Sequence, residues 1–141
     1  MPCIMLIRGY RHADREAVVR LWADVFPEST GHNDPGRSID RKVAAGDELF
    51  LVAEENKGVV GTIMGGYDGH RGWIYSLAVD PNRRRSGVGT QLVRHVERVL
   101  LDLGCPKINL QMRADNAAVV AFYRALGYQP EDRISMGKRM D

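Results

Sequence analysis

The stretch Asp80-Pro-Asn-Arg-Arg-Arg-Ser-Gly-Val-Gly-Thr90 decides the fold. It stops a strand-like run at Pro81 and enters a long amphipathic helix through a basic, glycine-punctuated loop. Glycines at 87 and 89 remove Cβ atoms where a diphosphate would have to approach main-chain N–H groups, and the following helix adds unpaired amides and the positive end of its dipole. The spacing excludes two better-known cradles. A dinucleotide fingerprint needs a third glycine three residues on, but Thr90, Gln91 and Leu92 follow Gly89. A Walker loop needs Lys-Ser/Thr after its last glycine, and Thr-Gln stands there. What is left, Arg84-x-x-Gly87-x-Gly89, is either an anion cradle or a polar turn opening a helix.

Working outward, the elements alternate. Trp73 to Val79 reads as the strand feeding the loop. The helix beyond Ser86 places Val88, Leu92, Val96, Val99, Leu100 and Leu103 on one face, with Gly104 as its stop. Ile108, Leu110 and Met112 alternate with polar residues as a fifth strand, and strand, crossover helix and strand in that order predict a parallel pair. Upstream, Leu49–Ala53 and Val59–Met64 predict a hairpin, which with Trp73–Val79 makes an antiparallel meander. Ile4 to Arg8 predicts a first strand. Asp14 is placed to cap a helix carrying Val18, Leu21, Trp22 and Val25, the turn-rich residues 27–36 a loop, and Ser38 to Ala45 a short helix. Asn116 is placed to cap a last helix ending at Gly127, and Tyr128 to Met140 predicts a terminal hairpin. The order β-α-α-β-β-β-α-β-α-β-β is mixed α/β, one central sheet flanked by helices, with residues 1–141 as a single domain.

Composition restricts the partners. The chain has 141 residues, 44% hydrophobic and 27% charged, with net charge +2. That charge is too small for nucleic-acid binding, which calls for a dense basic stripe. Cys3 and Cys105 form no redox or metal pair, and His12, His32, His70 and His95 lack ligand spacing, so no metal is expected. The opening residues lack a basic leader and no run approaches the ~20 apolar residues of a membrane span, so the expected location is cytoplasmic.

With these elements placed, the chain resembles the GCN5-related N-acetyltransferase (GNAT) superfamily over nearly its whole length. Ser76 to Thr90 looks like the family's coenzyme A motif. Arg113 to Tyr128 is similar to its Asn-x-x-Ala-x-x-Phe-Tyr-x-x-x-Gly-Phe/Tyr signature. Leu-Ala-Val-Asp-Pro and the Asn116 segment look most like the branch that acetylates ribosomal protein amino termini at alanine, while residues 65–72 depart from that pattern. The resemblance implies an acyl-CoA N-acyltransferase fold and an acetyl-CoA-dependent enzyme that acetylates a primary amine by direct attack in a ternary complex. The acceptor would be a small-molecule amine or a protein amino terminus, and a homodimer is compatible with the family.

Residue by residue, the resemblance implies pantetheine pairing with the main chain of Leu77 and Val79. An amide near Leu77 or Ala78 would polarise the thioester carbonyl. The pyrophosphate would rest on amides of Arg85, Ser86, Gly87, Val88, Gly89 and Thr90, with Arg84 and Arg85 adding charge. Asn116 would contact the ligand, cap its helix, or both. Tyr123 matches the proton donor to the departing thiolate; free phenol and thiol pKa values of about 10 and 8.5 make that transfer uphill by about 1.5 units. The family's strand glutamate has no counterpart in Trp73–Val79 or Lys107–Arg113. Asp68 and His70 in one loop, His32 and Asp34 in another, and Tyr75 or Ser76 through water, are the candidates for base or acceptor contact. A competing expectation is an acyl-CoA-binding regulatory module without turnover, with nucleic-acid binding a distant third.

Overall fold

The computed structural model describes residues 5–141. The chain forms two compact units, residues 1–110 and 111–141.

In the first unit the order is β1 (Met5–Gly9), α1 (Arg15–Val25), α2 (Pro35–Ala45), β2 (Phe50–Glu55), β3 (Gly58–Tyr67), β4 (Gly72–Val79), α3 (Val88–Asp102) and β5 (Ile108–Leu110). The five strands lie in the order β1-β2-β3-β4-β5. β1 to β4 pair antiparallel and β4 pairs parallel with β5, as the strand-helix-strand order predicts. Asn56 and Lys57, both at positive φ, turn the β2–β3 hairpin in the way tight hairpins require. Ile4, expected in the first strand, lies outside the described residues.

Each face of the sheet is sealed by one periodicity. α1 buries Val18, Leu21 and Trp22 at helical spacing against Phe50, Val52 and Met64. On the other face α3 buries Val88, Leu92, Val93, Val96 and Leu100, each such aliphatic contributing roughly 1.5–3 kcal/mol. Leu103, expected on that stripe, is 55% exposed because it caps the helix; Val93 takes its place at 0%. α3 sits close because β3 offers no side chain under its first turn. A Cβ on Gly61 would stand 2.9 Å from Val88 Cγ1 and 3.0 Å from Leu92 Cδ1.

Asp14 precedes α1 at the cap position, but its side chain does not cap the helix. It accepts two 2.9 Å bonds from the Arg8 guanidinium and one of 2.8 Å from the Arg11 N–H. Arg8 also grips Glu54, so one guanidinium ties β1, β2 and the start of α1. Hydrogen bonding from Arg8 holds the Asp14 carboxyl below the usual carboxylate range.

In the second unit, α4 spans Ala117–Ala125, and Asn116 caps it by accepting from the Val119 N–H at 3.3 Å. The expected terminal hairpin over 128–140 does not form as strands, and Met112 lies beyond the end of β5. Pro130 has no N–H for a ladder, and the Arg133 N–H turns back onto the Glu131 carbonyl at 2.9 Å. Ile134 and Met136, 89% and 90% exposed, bury too little to offset the entropy of ordering a hairpin.

Candidate active site

The loop from Asp80 to Thr90 is braced before it reaches its glycines. The Asp80 N–H donates to the Val60 carbonyl at 2.8 Å, and its carboxylate accepts from the Asn82 N–H at 2.9 Å. Arg83 pairs with Glu55, a carboxylate only 7% exposed at the end of β2. The Ser86 hydroxyl donates to the Arg83 carbonyl. The three arginines therefore divide. Arg83 is spent on the scaffold, and Arg84 and Arg85 stand exposed. Glu55 escapes sequence reasoning because Glu54-Glu55-Asn56-Lys57-Gly58 after an apolar run reads as a polar turn and carries no spacing signature for a partner.

Beyond this brace the backbone turns left-handed at Arg85 (φ 65°) and at Gly87 (φ 87°), the residue that caps α3. The first helical bond runs from the Gln91 N–H to the Gly87 carbonyl at 3.0 Å, so helix geometry gives the amides of Val88, Gly89 and Thr90 no partner within α3. These amides and the helix dipole make the loop chemically suited to an anion, and the residues present fit a pyrophosphate.

β4 supplies the second component. It pairs with β5 only over Gly72–Ile74, leaving Tyr75–Val79 without a strand on that edge among the described residues. Because the Asp80 N–H bonds to β3, strand alternation turns Ala78 toward β3 and Val79 toward the open edge. The ladder with β3 slips between Thr62↔Ala78 and Met64↔Tyr75, so Ser76 and Leu77 together oppose one residue. Ser76 sits at φ 52°, a left-handed conformation that costs a non-glycine residue about 1–2 kcal/mol. Serine carries no φ signature, so the bulge is invisible in the sequence.

The bulge borders a cleft of about 200 Å³ lined by Trp22, Phe26, Ser29, Asn33, Ser38 and Ser76, with Pro35. Among the early-loop candidates, Asp34 caps α2, accepting from the Arg37 N–H at 3.2 Å; α2 begins at Pro35, three residues before the expected Ser38. His32 lies in the short helical turn Gly31–Asn33. Asp68 closes the β3–β4 turn by accepting from the Arg71 and His70 N–H groups at 2.7 and 2.8 Å. Those bonds hold its carboxyl below the usual range, which makes it a weaker base. Tyr75, half-exposed, stacks near Trp73 with ring centroids 6.5 Å apart, and burial raises its phenol pKa. Neither it nor Asp68 and His70 lines the cleft.

In the second unit Tyr123 is 6% exposed, with edge-on contacts to Phe122 and Tyr128 at 5.0 and 5.5 Å. Burial pushes its phenol up to about 12, so it stays protonated through the neutral range.

Comparison with known proteins agrees with this geometry. The model of the acetyltransferase (GNAT) family matches residues 15–128. An acetyltransferase of Pectobacterium atrosepticum is 46% identical over 138 residues, the match covering 96% of each chain. Among solved structures, an aminoglycoside N-acetyltransferase in complex with CoA superposes with a TM-score of 0.80 at 18% identity, covering 100% of this chain and 98% of that one. Ard1 from Thermoplasma volcanium gives 0.77 at 27% identity, covering 87% and 81%. The chain thus belongs to the GNAT family of acetyltransferases and is an enzyme that moves an acetyl group from acetyl-CoA to an amine.

Proposed function

We propose that residues 1–141 act as one catalytic domain in which acetyl-CoA rests its pyrophosphate on the amides from Arg85 to Thr90, aided by Arg84. Pantetheine pairs with the open edge of β4 at Leu77 and Val79, and the thioester carbonyl accepts from the Leu77 N–H at the bulge, the Ala78 N–H being turned toward β3. The amine sits in the cleft beside Ser76 and attacks directly; Tyr123 protonates the departing thiolate, and Asn116 adds a ligand contact from its cap. Carrying this reading is the left-handed bulge at Ser76, on a stretch of β4 that pairs with β5 only as far as Ile74. A strained peptide on an open edge is where preorganised donors for a developing oxyanion are found.

The polar groups lining the cleft are serine hydroxyls and the Asn33 amide. They suit an acceptor that arrives largely uncharged. An α-amine of pKa about 8 comes nearer that condition, because freeing it at pH 7.5 costs only about 0.7 kcal/mol, whereas freeing an alkylammonium of about 10.4 costs roughly 4 kcal/mol. The acceptor class we favour is therefore an α-amine, on a peptide terminus or a small amino compound.

Initial rates of thiol release, with both substrates varied, test the mechanism. Direct attack in a ternary complex gives intersecting double-reciprocal lines and no acetylated protein; parallel lines with an acetyl-enzyme overturn it. Acetyl-CoA at 100 times its Kd is expected to stabilise the fold by about 2.7 kcal/mol.

A further inference from the structure

A buried chain of hydrogen bonds runs from the cleft to the bulge. Trp22 Nε1 donates to Thr62 Oγ1 at 2.8 Å, and Thr62 Oγ1 donates to the Ser76 carbonyl at 3.1 Å. Its direction is forced. An indole N–H can only donate, so the threonine oxygen accepts there and its own proton is left for a carbonyl, which can only accept. Trp22 and Thr62 are 3% and 0% exposed, so water does not compete for either bond.

The Ser76 carbonyl belongs to the same peptide as the Leu77 N–H. In a planar trans peptide these two groups point in opposite directions, so whatever fixes the carbonyl fixes the amide. A bond accepted by the carbonyl also polarises the peptide and makes its N–H a better donor. The restraint acts where the backbone is least able to hold itself, at a left-handed serine beside a slipped register. We propose that Thr62, held by Trp22, is a positioning residue that aims and strengthens the Leu77 N–H toward the thioester carbonyl, resting on the acetyl-CoA placement above. Trp22 also lines the cleft. An acceptor seated against the indole therefore touches the first member of the chain that sets the donor.

The test uses Thr62→Val, which keeps shape and removes the hydroxyl, Thr62→Ser, which restores it, and Trp22→Phe, which removes the indole donor along with part of the buried ring. Two readouts are taken on the full chain: steady-state kinetics, and the NMR resonance of the Leu77 amide with CoA or acetyl-CoA. In the parent protein acetyl-CoA is expected to shift that amide further downfield than CoA does. In Thr62→Val the extra shift disappears and kcat falls about 10-fold, less than the loss of a whole oxyanion donor, while the Kd for acetyl-CoA stays within about 2-fold. Thr62→Ser recovers both, and Trp22→Phe lowers kcat by about 3-fold. A Thr62→Val protein with parental kcat and an intact amide shift overturns the positioning role alone. Should Thr62→Val not fold, parental kcat and amide shift in Trp22→Phe would overturn it. A parental Leu77 amide that treats CoA and acetyl-CoA alike overturns the carbonyl contact itself, and this inference with it.

Discussion

The glycine loop before α3 and the cleft beside Ser76 are built in opposite ways. Within Asp80–Thr90 the working parts are main-chain amides, a left-handed glycine and a helix start, contiguous in sequence and braced by Arg83 on Glu55. The cleft gathers side chains from α1, the following loop, α2 and β4, so that Trp22 and Ser76 meet across more than fifty positions. A site made of backbone must be written as a motif, because only certain residues permit the conformation. A site made of side chains is free to change residue by residue. Within one unit of the fold, the first suits a constant donor and the second a variable acceptor.

The strongest way to sharpen this contrast is a residue assigned to neither region. Tyr123→Phe is expected to lower kcat by about 10²–10³-fold, the usual range for general acid work, leaving both KM values nearly unchanged. The same substitution has a signature in alkali. The folded phenol titrates near 12 and the unfolded one near 10, so the folded state is fully favoured below pH 10 and loses ground as pH rises toward 12. The loss amounts to about 3 kcal/mol and is absent in the Phe variant. Parental kcat measured with chemistry rate-limiting would remove the proton-donor role.

A smaller effect separates the two regions directly. Gly87→Ala places a Cβ on a backbone at φ 87°, a conformation that costs an alanine roughly 1–2 kcal/mol, at the cap from which α3 presents its amides. Titration calorimetry should show the Kd for acetyl-CoA rising about 10-fold, in proportion to that strain. The KM for the amine should hardly move. A variant that binds acetyl-CoA as the parent does would mean that the pyrophosphate lies elsewhere.

This division also accounts for what could be read in advance. The sheet order, the parallel β4–β5 pair, the Asn116 cap and the glycine loop each depend on residue types with few alternatives. The bulge does not, because serine as a residue type does not signal the positive φ that Ser76 adopts beside its hydrogen bond from Thr62. Glu55 and Trp22 resemble ordinary strand and core residues until the fold places Arg83 beside one and Thr62 beside the other. The terminal residues show the converse. Ile134 and Met136 alternate as a strand should, yet periodicity does not supply a partner strand, and both stay about nine-tenths exposed.

The smallest expected effect concerns the loop that joins β3 to β4. Asp68 attracts attention as a carboxylate near the end of a central strand, but its oxygen is already occupied by two backbone N–H groups, and those bonds lower its pKa. A general base gains from a pKa near the working pH, and this carboxyl moves the other way. Asp68→Asn preserves one carbonyl oxygen for the same N–H groups, so the turn should persist. Between pH 6 and 9 the pH–rate profile should keep its inflections, with kcat/KM changed by less than about 2-fold, far short of the loss expected for a missing base. A lost acid limb, or a fall of tenfold or more, would make this turn part of the acceptor machinery and would extend the variable region from the cleft to the β3–β4 loop.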